Sequence, residues 1–219
     1  MFEMVIFDWD ETLAHTKNTA VKSFKKTLEE INLNVSNEYI KKQMGKSAKE
    51  ILLETLKKFN KQYNEDKIEQ LLQKRIQTEI KLSQKIKLHD GAIELLDKIK
   101  GKTKLALATM NDKPVITHLL KQHKLTEYFD IVLSANDVKK SKPNPEIFLE
   151  AANKFTIQPN NCVVIEDSIF GIQAAKKAKM SCIAVSLGAY SKKELEKEKP
   201  DLVVTSLKQI KPILNFILQ

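Results

Sequence analysis

The sequence predicts an α/β protein whose parallel β-sheet core is interrupted by a helical insert. Two patterns in its 219 residues predict this class. Short apolar or β-branched runs alternate with segments of helical period through most of the chain, which is typical of a parallel sheet covered by helices on both faces. One long stretch after the first of these runs has helical spacing alone. The predicted core is therefore a Rossmann-like, doubly wound sheet.

Six short runs have the length and composition of strands. The last five are separated by segments in which apolar residues recur at helical spacing, such as Val115, Leu119 and Leu120. A helix between two strands makes a right-handed crossover, so the strands it joins run parallel. The six predicted strands are Met4–Asp8, Lys104–Thr109, Asp130–Leu133, Cys162–Glu166, Cys182–Ser186 and Leu202–Thr205.

The helical insert follows the first strand. Its apolar residues keep helix spacing, as in Val21, Phe24 and Leu28, and no run in it resembles a strand. It is too long for an ordinary connection, so we expect a second domain that moves as a cap. The predicted boundaries are 1–14 and 88–219 for the core, 15–87 for the cap, and Ala14–Lys17 and Ile86–Asp90 for the hinges.

Composition indicates a water-soluble protein. The chain is 42% hydrophobic and 30% charged. No apolar run approaches the roughly 20 residues that span a bilayer. The N-terminus lacks the pattern of a secretory signal, so we expect no membrane association and a cytoplasmic location. Cys162 and Cys182 lie in short apolar runs without CxxC spacing, which predicts buried, reduced thiols.

The formal net charge of +9 raises the question of nucleic-acid binding. The lysines are dispersed along helical segments, and no arginine or aromatic residues are interleaved with them to stack on bases. We therefore expect a lysine-rich solvated surface and no nucleic-acid partner. A milder interpretation is that the positive field attracts small anionic substrates.

Polar residues follow four of the predicted strands. In an open α/β sheet, ligands bind outside the carboxyl ends of the strands. Taken singly, each residue is explained as a helix cap, a turn former or a solvated side chain. Together, and in this order on one edge, they indicate a single site. The candidates are Asp8 and Asp10 after the first strand, Thr109 and Asn111 after the second, Lys142 after the third, and Glu166 and Asp167 after the fourth.

These residue types suit phosphoryl transfer. Asp8 can attack phosphorus and form an acyl phosphate, which divides one hard displacement into two easier ones. Asp10 points to the same side of an extended chain two residues later. Lys142 supplies positive charge to the nucleophile and the phosphate. A site made only of oxygen ligands suits Mg²⁺, and the sequence shows no Cys/His cluster that would compete for zinc.

Over essentially its full length, the chain resembles the haloacid dehalogenase (HAD) superfamily. The segment FDWDETL is similar to the first motif of that superfamily, Thr109 to its second and KKSKPNPEIF to its lysine motif. The segment VIEDSIFGIQAAKKA resembles the fourth motif of the phosphoglycolate phosphatase and β-phosphoglucomutase branch. The helical insert after the first motif matches the cap domain of that branch.

The resemblance implies a Mg²⁺-dependent phosphatase that works through an aspartyl-phosphate on Asp8. It implies that Asp10 protonates the leaving oxygen, then activates the hydrolytic water, and ligates the metal through its backbone carbonyl. The implied metal ligands are Asp8, Asp10, Glu166 and Asp167. Whether Glu166 touches the metal directly is left open.

Several positions depart from the pattern of the branch. Glu11 stands where glycine is usual, and His15 where an acidic residue is common, so His15 is either a catalytic or a hinge residue. Gly45-Lys46-Ser47 resembles the substrate-specificity loop, although a turn followed by an N-cap explains it equally well. β-Phosphoglucomutase carries a histidine in its first cap helix twelve residues after its nucleophile, and the matching position is Ala20.

The predicted activity is hydrolysis of a small phosphomonoester, such as phosphoglycolate or a sugar phosphate. Thr109, Asn111, Lys142 and Lys46 are the predicted substrate-binding residues. A phosphomutase is the alternative enzyme, and Ala20 favours the phosphatase because its side chain forms no hydrogen bond. A phosphate- or nucleic-acid-binding module is the non-enzymatic alternative. We expect a monomer or a weak homodimer, with a small phosphorylated metabolite as partner.

Overall fold

The computed structural model describes all residues from 1 to 219, and its core is a six-stranded parallel sheet. The strands are β1 (Met4–Phe7), β2 (Lys104–Ala108), β3 (Ile131–Leu133), β4 (Cys162–Glu166), β5 (Ser181–Val185) and β6 (Leu202–Val204). Their order is β3-β2-β1-β4-β5-β6, and every neighbouring pair is parallel. The predicted doubly wound fold is confirmed. The direction of winding reverses between β1 and β4, which is where doubly wound folds bind ligands.

Ten α-helices connect and flank these strands. The first four are α1 (Lys17–Glu29), α2 (Asn37–Lys41), α3 (Ala48–Lys58) and α4 (Glu65–Leu82). The six helices of the sheet domain are α5 (Ala92–Ile99), α6 (Lys113–Gln122), α7 (Glu146–Asn153), α8 (Ile169–Lys177), α9 (Lys192–Lys197) and α10 (Ile210–Leu218).

Each face of the sheet has its own hydrophobic core. Alternate residues of a strand point to opposite faces. Val5 and Phe7 therefore pack with α5, α6 and α10 on one face, while Met4 and Ile6 pack with α7, α8 and α9 on the other. Because every β1 side chain is fully buried, this central strand is a rigid base for the residues that follow it.

Helices α1 to α4 form a separate hydrophobic cluster. Its 13 buried residues all lie between Val21 and Leu72, so most of the predicted cap has a core of its own. The carboxyl-terminal part of α4 behaves differently, because Ile76 and Ile80 pack against the apolar cluster of the sheet domain. That the four helices move as a unit stays a prediction.

The two chain connections between the sheet domain and this helical unit lie side by side. Ala14 and Leu88 form an antiparallel bridge. The backbone N–H of His15 donates to Lys87 O at 2.9 Å, and that of His89 donates to Leu13 O at 2.9 Å. The residues predicted as hinges are thus hydrogen-bonded to each other.

Two predictions from composition concern the membrane and the thiols. No helix of the protein is both long enough and apolar enough to cross a bilayer. Cys162 and Cys182 are both buried and unpaired, as their apolar surroundings predict.

Candidate active site

Three loops at the carboxyl edge of the sheet converge on one point. Asp8 follows β1, and its backbone N–H donates to Ile165 O on β4 at 3.0 Å. Glu166 ends β4, and Asp167 comes next. Lys142 lies in the loop before α7 and reaches the same point across the sheet edge. The structure therefore brings together the nucleophile, lysine and carboxylates predicted from the sequence.

Lys142 is at the centre of this group and is only 1% exposed. Its Nζ donates to Asp8 Oδ1 at 2.7 Å, to Glu166 Oε1 at 2.8 Å and to Ala108 O at 3.1 Å. An ammonium group has three hydrogens, so every one has an acceptor. Burial by itself lowers the pKa of Lys142, but the carboxylates of Asp8 and Glu166 outweigh it and raise that pKa. The lysine is therefore a fixed positive charge.

Three buried carboxylates lie together here, and two of them contact the lysine. Asp8, Glu166 and Asp167 each offer an oxygen within 4.8 Å of the others. Burial raises the pKa of Asp8 to about 8, with Lys142 opposing and Glu166 adding to the effect. Burial and then the charge of Glu166 raise the pKa of Asp167 well above its usual value. Such a group needs more positive charge than one lysine provides, and its donor set fits a hard divalent cation.

Glu166 has few free acceptor positions. Its Oε1 accepts from Lys142, while Oε2 accepts from the backbone N–H of Ser168 at 2.7 Å and from Ser168 Oγ at 2.8 Å. These contacts fix the carboxylate between the lysine and the start of α8. Asp167 is freer, because its only side-chain hydrogen bond is a 3.4 Å contact from the Thr12 hydroxyl. Asp8 and Asp167 are thus better placed than Glu166 to ligate a metal directly.

Asp10 is held by the two polar residues that follow β2. Thr109 Oγ1 donates to Asp10 Oδ2 at 3.3 Å, and Asn111 Nδ2 contacts both carboxylate oxygens at 3.1 Å. The Asn111 backbone N–H in turn donates to Thr109 Oγ1 at 3.1 Å. Burial raises the pKa of Asp10, which favours a protonated acid. Both residues were predicted to bind substrate, and in this structure they contact Asp10.

Two glycines that the sequence analysis did not single out make room for these carboxylates. A Cβ on Gly171 would lie 1.9 Å from the Glu166 carboxyl group, and a Cβ on Gly188 would lie 1.7 Å from Asp167 Oδ2. Side chains never approach so closely. Both positions therefore exclude every residue with a Cβ while the carboxylates keep their places.

The helical unit covers the site through the loop before α3. The Ser47 backbone N–H donates to Ser141 Oγ of the sheet domain at 3.2 Å. Gly45 has a φ of 103° and packs beside Phe170. Lys46 lines the cavity over the carboxylates, yet its Nζ is paired with Glu54 at 2.8 Å. The loop thus touches the sheet domain, and its lysine forms an ion pair within the helical unit.

Arg75 and Glu79 on α4 also line this cavity, and the sequence analysis missed both. The buried Arg75 guanidinium is paired with Glu79 and, across the domain boundary, with Asp112 at the start of α6. Arg75 Nε and Glu79 Oε1 have no hydrogen-bond partner. The sequence feature that could have pointed to Arg75 is that it is the single arginine in a chain rich in lysine. Ala20 lines the same cavity, with 6% of its surface exposed.

Glu11 adopts a backbone conformation that glycine prefers. Its φ is 59°, a left-handed value that costs a residue with a Cβ about 1–2 kcal/mol. The backbone N–H of Lys17 donates to Glu11 Oε1 at 2.7 Å, which holds the carboxylate at the start of α1. Glu11, which stands where the branch usually has glycine, is thus hydrogen-bonded to the first residue of α1.

The sequence shows no Cys/His cluster that would compete for zinc, but the structure brings two histidines together. The exposed His15 and the buried His89 lie with their ring centroids 3.6 Å apart, and Glu11 is beside them. They are far apart in the sequence, and the antiparallel pairing of the two connections brings them together. Spacing along the chain therefore gave no sign of this group.

The fold and this site define a class of protein: an α/β enzyme with a covered carboxylate–lysine centre. The family model described as haloacid dehalogenase-like hydrolase matches residues 5–185. The phosphorylated carbohydrates phosphatase of Thermotoga maritima is 32% identical over 186 residues, which cover 80% of this chain and 81% of that protein. The chain belongs to the haloacid dehalogenase-like hydrolase family.

Solved structures agree with this assignment. A hydrolase from Pseudomonas syringae superposes with a TM-score of 0.89 at 28% identity, covering 98% of this chain and 99% of that one. β-Phosphoglucomutase from Clostridium difficile superposes with a TM-score of 0.87 at 27% identity and covers both chains completely. The predicted superfamily and hydrolase class are confirmed. The similar proteins include both a phosphatase and a β-phosphoglucomutase, so these comparisons do not separate the two activities.

Proposed function

We propose that this protein hydrolyses a small phosphomonoester through an aspartyl-phosphate on Asp8. One observation carries the proposal: the buried Lys142 is hydrogen-bonded to both Asp8 and Glu166 at the sheet edge. Asp10 lies two residues after Asp8 in the chain. The similarity to the phosphorylated carbohydrates phosphatase of Thermotoga maritima supports it.

Asp8 acts as the nucleophile. Its free oxygen forms a bond to phosphorus while the bond from phosphorus to the ester oxygen breaks. The other oxygen, Oδ1, stays bound to Lys142, whose fixed charge neutralises part of the negative charge on the phosphoryl group. Because Lys142 is pinned by three acceptors, this charge is in place before the substrate arrives.

Asp10 acts as the acid and then as the base. It gives its proton to the leaving alkoxide. In the second step it takes a proton from the water that attacks phosphorus, while the bond between phosphorus and the Asp8 oxygen breaks and inorganic phosphate leaves. Thr109 and Asn111 hold its carboxylate by hydrogen bonds, and burial raises its pKa, which favours the protonated acid. A positioned acid of this kind contributes about 10²–10⁴-fold to the rate.

Mg²⁺ is the proposed cofactor. Asp8, Asp167 and the Asp10 carbonyl would hold it, and Glu166 belongs to the same acidic group. When bound, it supplies positive charge for the phosphoryl oxygens and offsets the repulsion between the carboxylates. The contacts of Glu166 with Lys142 and Ser168 support an orienting role for that residue.

The cavity over the carboxylates supports two parts of the proposal: the cap opens to admit the substrate, and the substrate carries a hydroxyl group. Its volume is about 50 Å³, room for only a few water molecules. A phosphorylated metabolite is larger, so the helical unit at 15–87 must move away for it to enter. The unpaired Arg75 Nε is a donor and the unpaired Glu79 Oε1 an acceptor, a combination that suits a hydroxyl group of the substrate.

A phosphomutase is the second candidate, and the similarity to β-phosphoglucomutase from Clostridium difficile favours it. Ala20 argues for hydrolysis, because it lines the cavity without any side-chain group that could couple sugar binding to the placement of Asp10. Incubation with β-glucose 1-phosphate and a trace of the 1,6-bisphosphate separates the two. Hydrolysis releases inorganic phosphate, whereas rapid formation of glucose 6-phosphate with little phosphate release would make the protein a mutase.

The main test is phosphate release from a panel of phosphometabolites in the presence of Mg²⁺, with the wild type, Asp8→Asn and Asp66→Asn. Asp66 is an exposed residue in the first turn of α4, so it controls for the loss of one carboxylate. We expect full activity in Asp66→Asn and none above background in a folded Asp8→Asn. Substantial turnover by Asp8→Asn would exclude the aspartyl-phosphate.

A further inference from the structure

A second group of potential metal ligands lies outside the proposed phosphatase site. It consists of Glu11, His15 and His89, each of which offers one ligand atom within 4.8 Å of the others. The first two belong to the connection that leaves the sheet domain, and His89 belongs to the connection that returns. The group thus spans both chain crossings into the helical unit.

His89 provides the strongest sign of a ligand. It is only 5% exposed, and its Nε2 has no hydrogen-bond partner. One of its ring nitrogens lies within 4.8 Å of ligand atoms of both Glu11 and His15. A buried ring nitrogen without a partner is otherwise costly.

The other two residues complete the donor set. The exposed His15 makes no side-chain hydrogen bond, and its ring lies against that of His89 at a 49° tilt. Glu11 Oε1 accepts from the Lys17 backbone, while Oε2 has only a 3.8 Å ion pair with Lys17 Nζ. That ammonium donates instead to Gly188 O at 3.0 Å. One carboxylate oxygen of Glu11 is thus nearly free.

From these contacts we infer that Glu11, His15 and His89 form a binding site for Zn²⁺ or a similar divalent transition metal. Two imidazoles and one carboxylate are a known zinc donor set, and they leave a fourth position for water. Mg²⁺ prefers oxygen ligands, so the two sites of the protein differ in metal preference. The ligand atoms of a tetrahedral zinc site are about 3.3 Å apart, so these need to approach by at most about 1.5 Å. The exposed His15 is the ligand with the most room to adjust.

The site has a structural consequence that is independent of the proposed activity. A bound ion joins the outgoing connection to the returning one. It also fixes Glu11, the residue beside Asp10. The ion therefore cross-links the base of the helical unit to the sheet domain.

The test uses Co²⁺ as a spectroscopic substitute for Zn²⁺ in the full-length protein, with excess Mg²⁺ present to fill the carboxylate site. We expect one equivalent of Co²⁺ to give the intense visible bands of a tetrahedral site, and Zn²⁺ to displace it. His15→Ala and His89→Ala should each weaken binding by at least about 10-fold, because even loss of a group that only orients a ligand costs about 10–100-fold. His118→Ala, which removes a histidine of α6, is the matched control and should bind normally.

Two further variants separate this site from the proposed active site. Asp167→Asn should keep the Co²⁺ spectrum, and Glu11→Gln should weaken it. Circular dichroism checks the fold of His89→Ala, and His15→Ala provides an independent test because His15 is exposed. The proposal is overturned if the wild type binds no Co²⁺ with these bands, or if the bands survive in a folded His15→Ala but vanish in Asp167→Asn. Activity plays no part in this readout, so failure here leaves the phosphatase proposal intact.

Discussion

Replacing Lys142 with methionine tests whether the buried ion network also holds the fold together. Methionine fills a similar volume without charge. It would leave Asp8 Oδ1, Glu166 Oε1 and the Ala108 carbonyl without their donor in a place that water does not reach. Removing one partner of a buried ion pair costs about 3–5 kcal/mol.

The size of this effect follows from burial. Lys142 is 1% exposed, so solvent cannot compensate for its loss. In a protein of this length, 1 kcal/mol corresponds to about 2–4 °C in Tm, so we expect Tm to fall by about 6–20 °C without Mg²⁺. Mg²⁺ should restore part of this difference, because the carboxylates that lose the lysine still bind the cation.

The measurement is guanidinium unfolding in metal-free buffer, followed by circular dichroism and by the fluorescence of Trp9. Trp9 is the single tryptophan, is fully buried and lies next to Asp8, so it reports on this site. Lys140→Met, at an exposed position of the same loop, is the matched control and should change stability by less than about 0.5 kcal/mol.

A double variant checks the cause. Lys142→Met with Glu166→Gln should recover about 0.5–3 kcal/mol relative to the single variant, because glutamine removes one of the uncompensated charges. If Lys142→Met destabilises the protein by less than about 1 kcal/mol, the lysine does not neutralise these carboxylates and the electrostatic reasoning is refuted.

Three other perturbations follow from the structure. Activity should vanish with a chelator and return with Mg²⁺, and Asp167→Asn should raise the Mg²⁺ concentration needed for half-maximal rate; an unchanged Mg²⁺ dependence would count against the metal site. Gly188→Ala should raise that requirement too, and should destabilise the fold by about 1–3 kcal/mol in thermal melts, because its Cβ displaces Asp167. Burial, with His15 adding, lowers the pKa of His89 to about 4. As the pH falls, His89 is therefore protonated in the unfolded chain, near pH 6.5, before it is protonated in the folded protein. The contribution of neutral His89 to stability is full above about pH 6.5 and is lost as the pH falls towards 4. Urea unfolding at several pH values should show a weaker loss in His89→Gln, and equal slopes would refute the assignment.

Much of the site could be predicted because it depends on local sequence. Asp8, Thr109 and Glu166 lie at or just after the ends of strands, and the carboxyl ends of parallel strands share one edge of the sheet. All six strands were recognisable from short apolar runs, with ends that differ by one residue at most. Because strands alternate with helices, all the strands run parallel, and the polar residues that follow them meet at one edge of the sheet.

Other features needed the tertiary structure. The positions of Thr109 and Asn111 in the sequence predict contacts with phosphate. In this conformation both donate hydrogen bonds to Asp10. Lys46 suggests a substrate contact, and Glu54 proved to be its partner. These outcomes depend on side-chain rotamers and on the placement of the helical unit, and residue type does not determine either.

The sequence by itself determined the fold class, the family and the edge of the sheet that carries the chemistry. Only the tertiary structure decided that Arg75 of α4 meets Asp112 of α6, and that His15 meets His89 beside Glu11. Periodicity and motifs record contacts between neighbours in the chain and along a strand or helix. Contacts across the domain boundary depend on how the helical unit closes on the sheet domain, which is a property of the packed surfaces and leaves no periodic trace in the sequence.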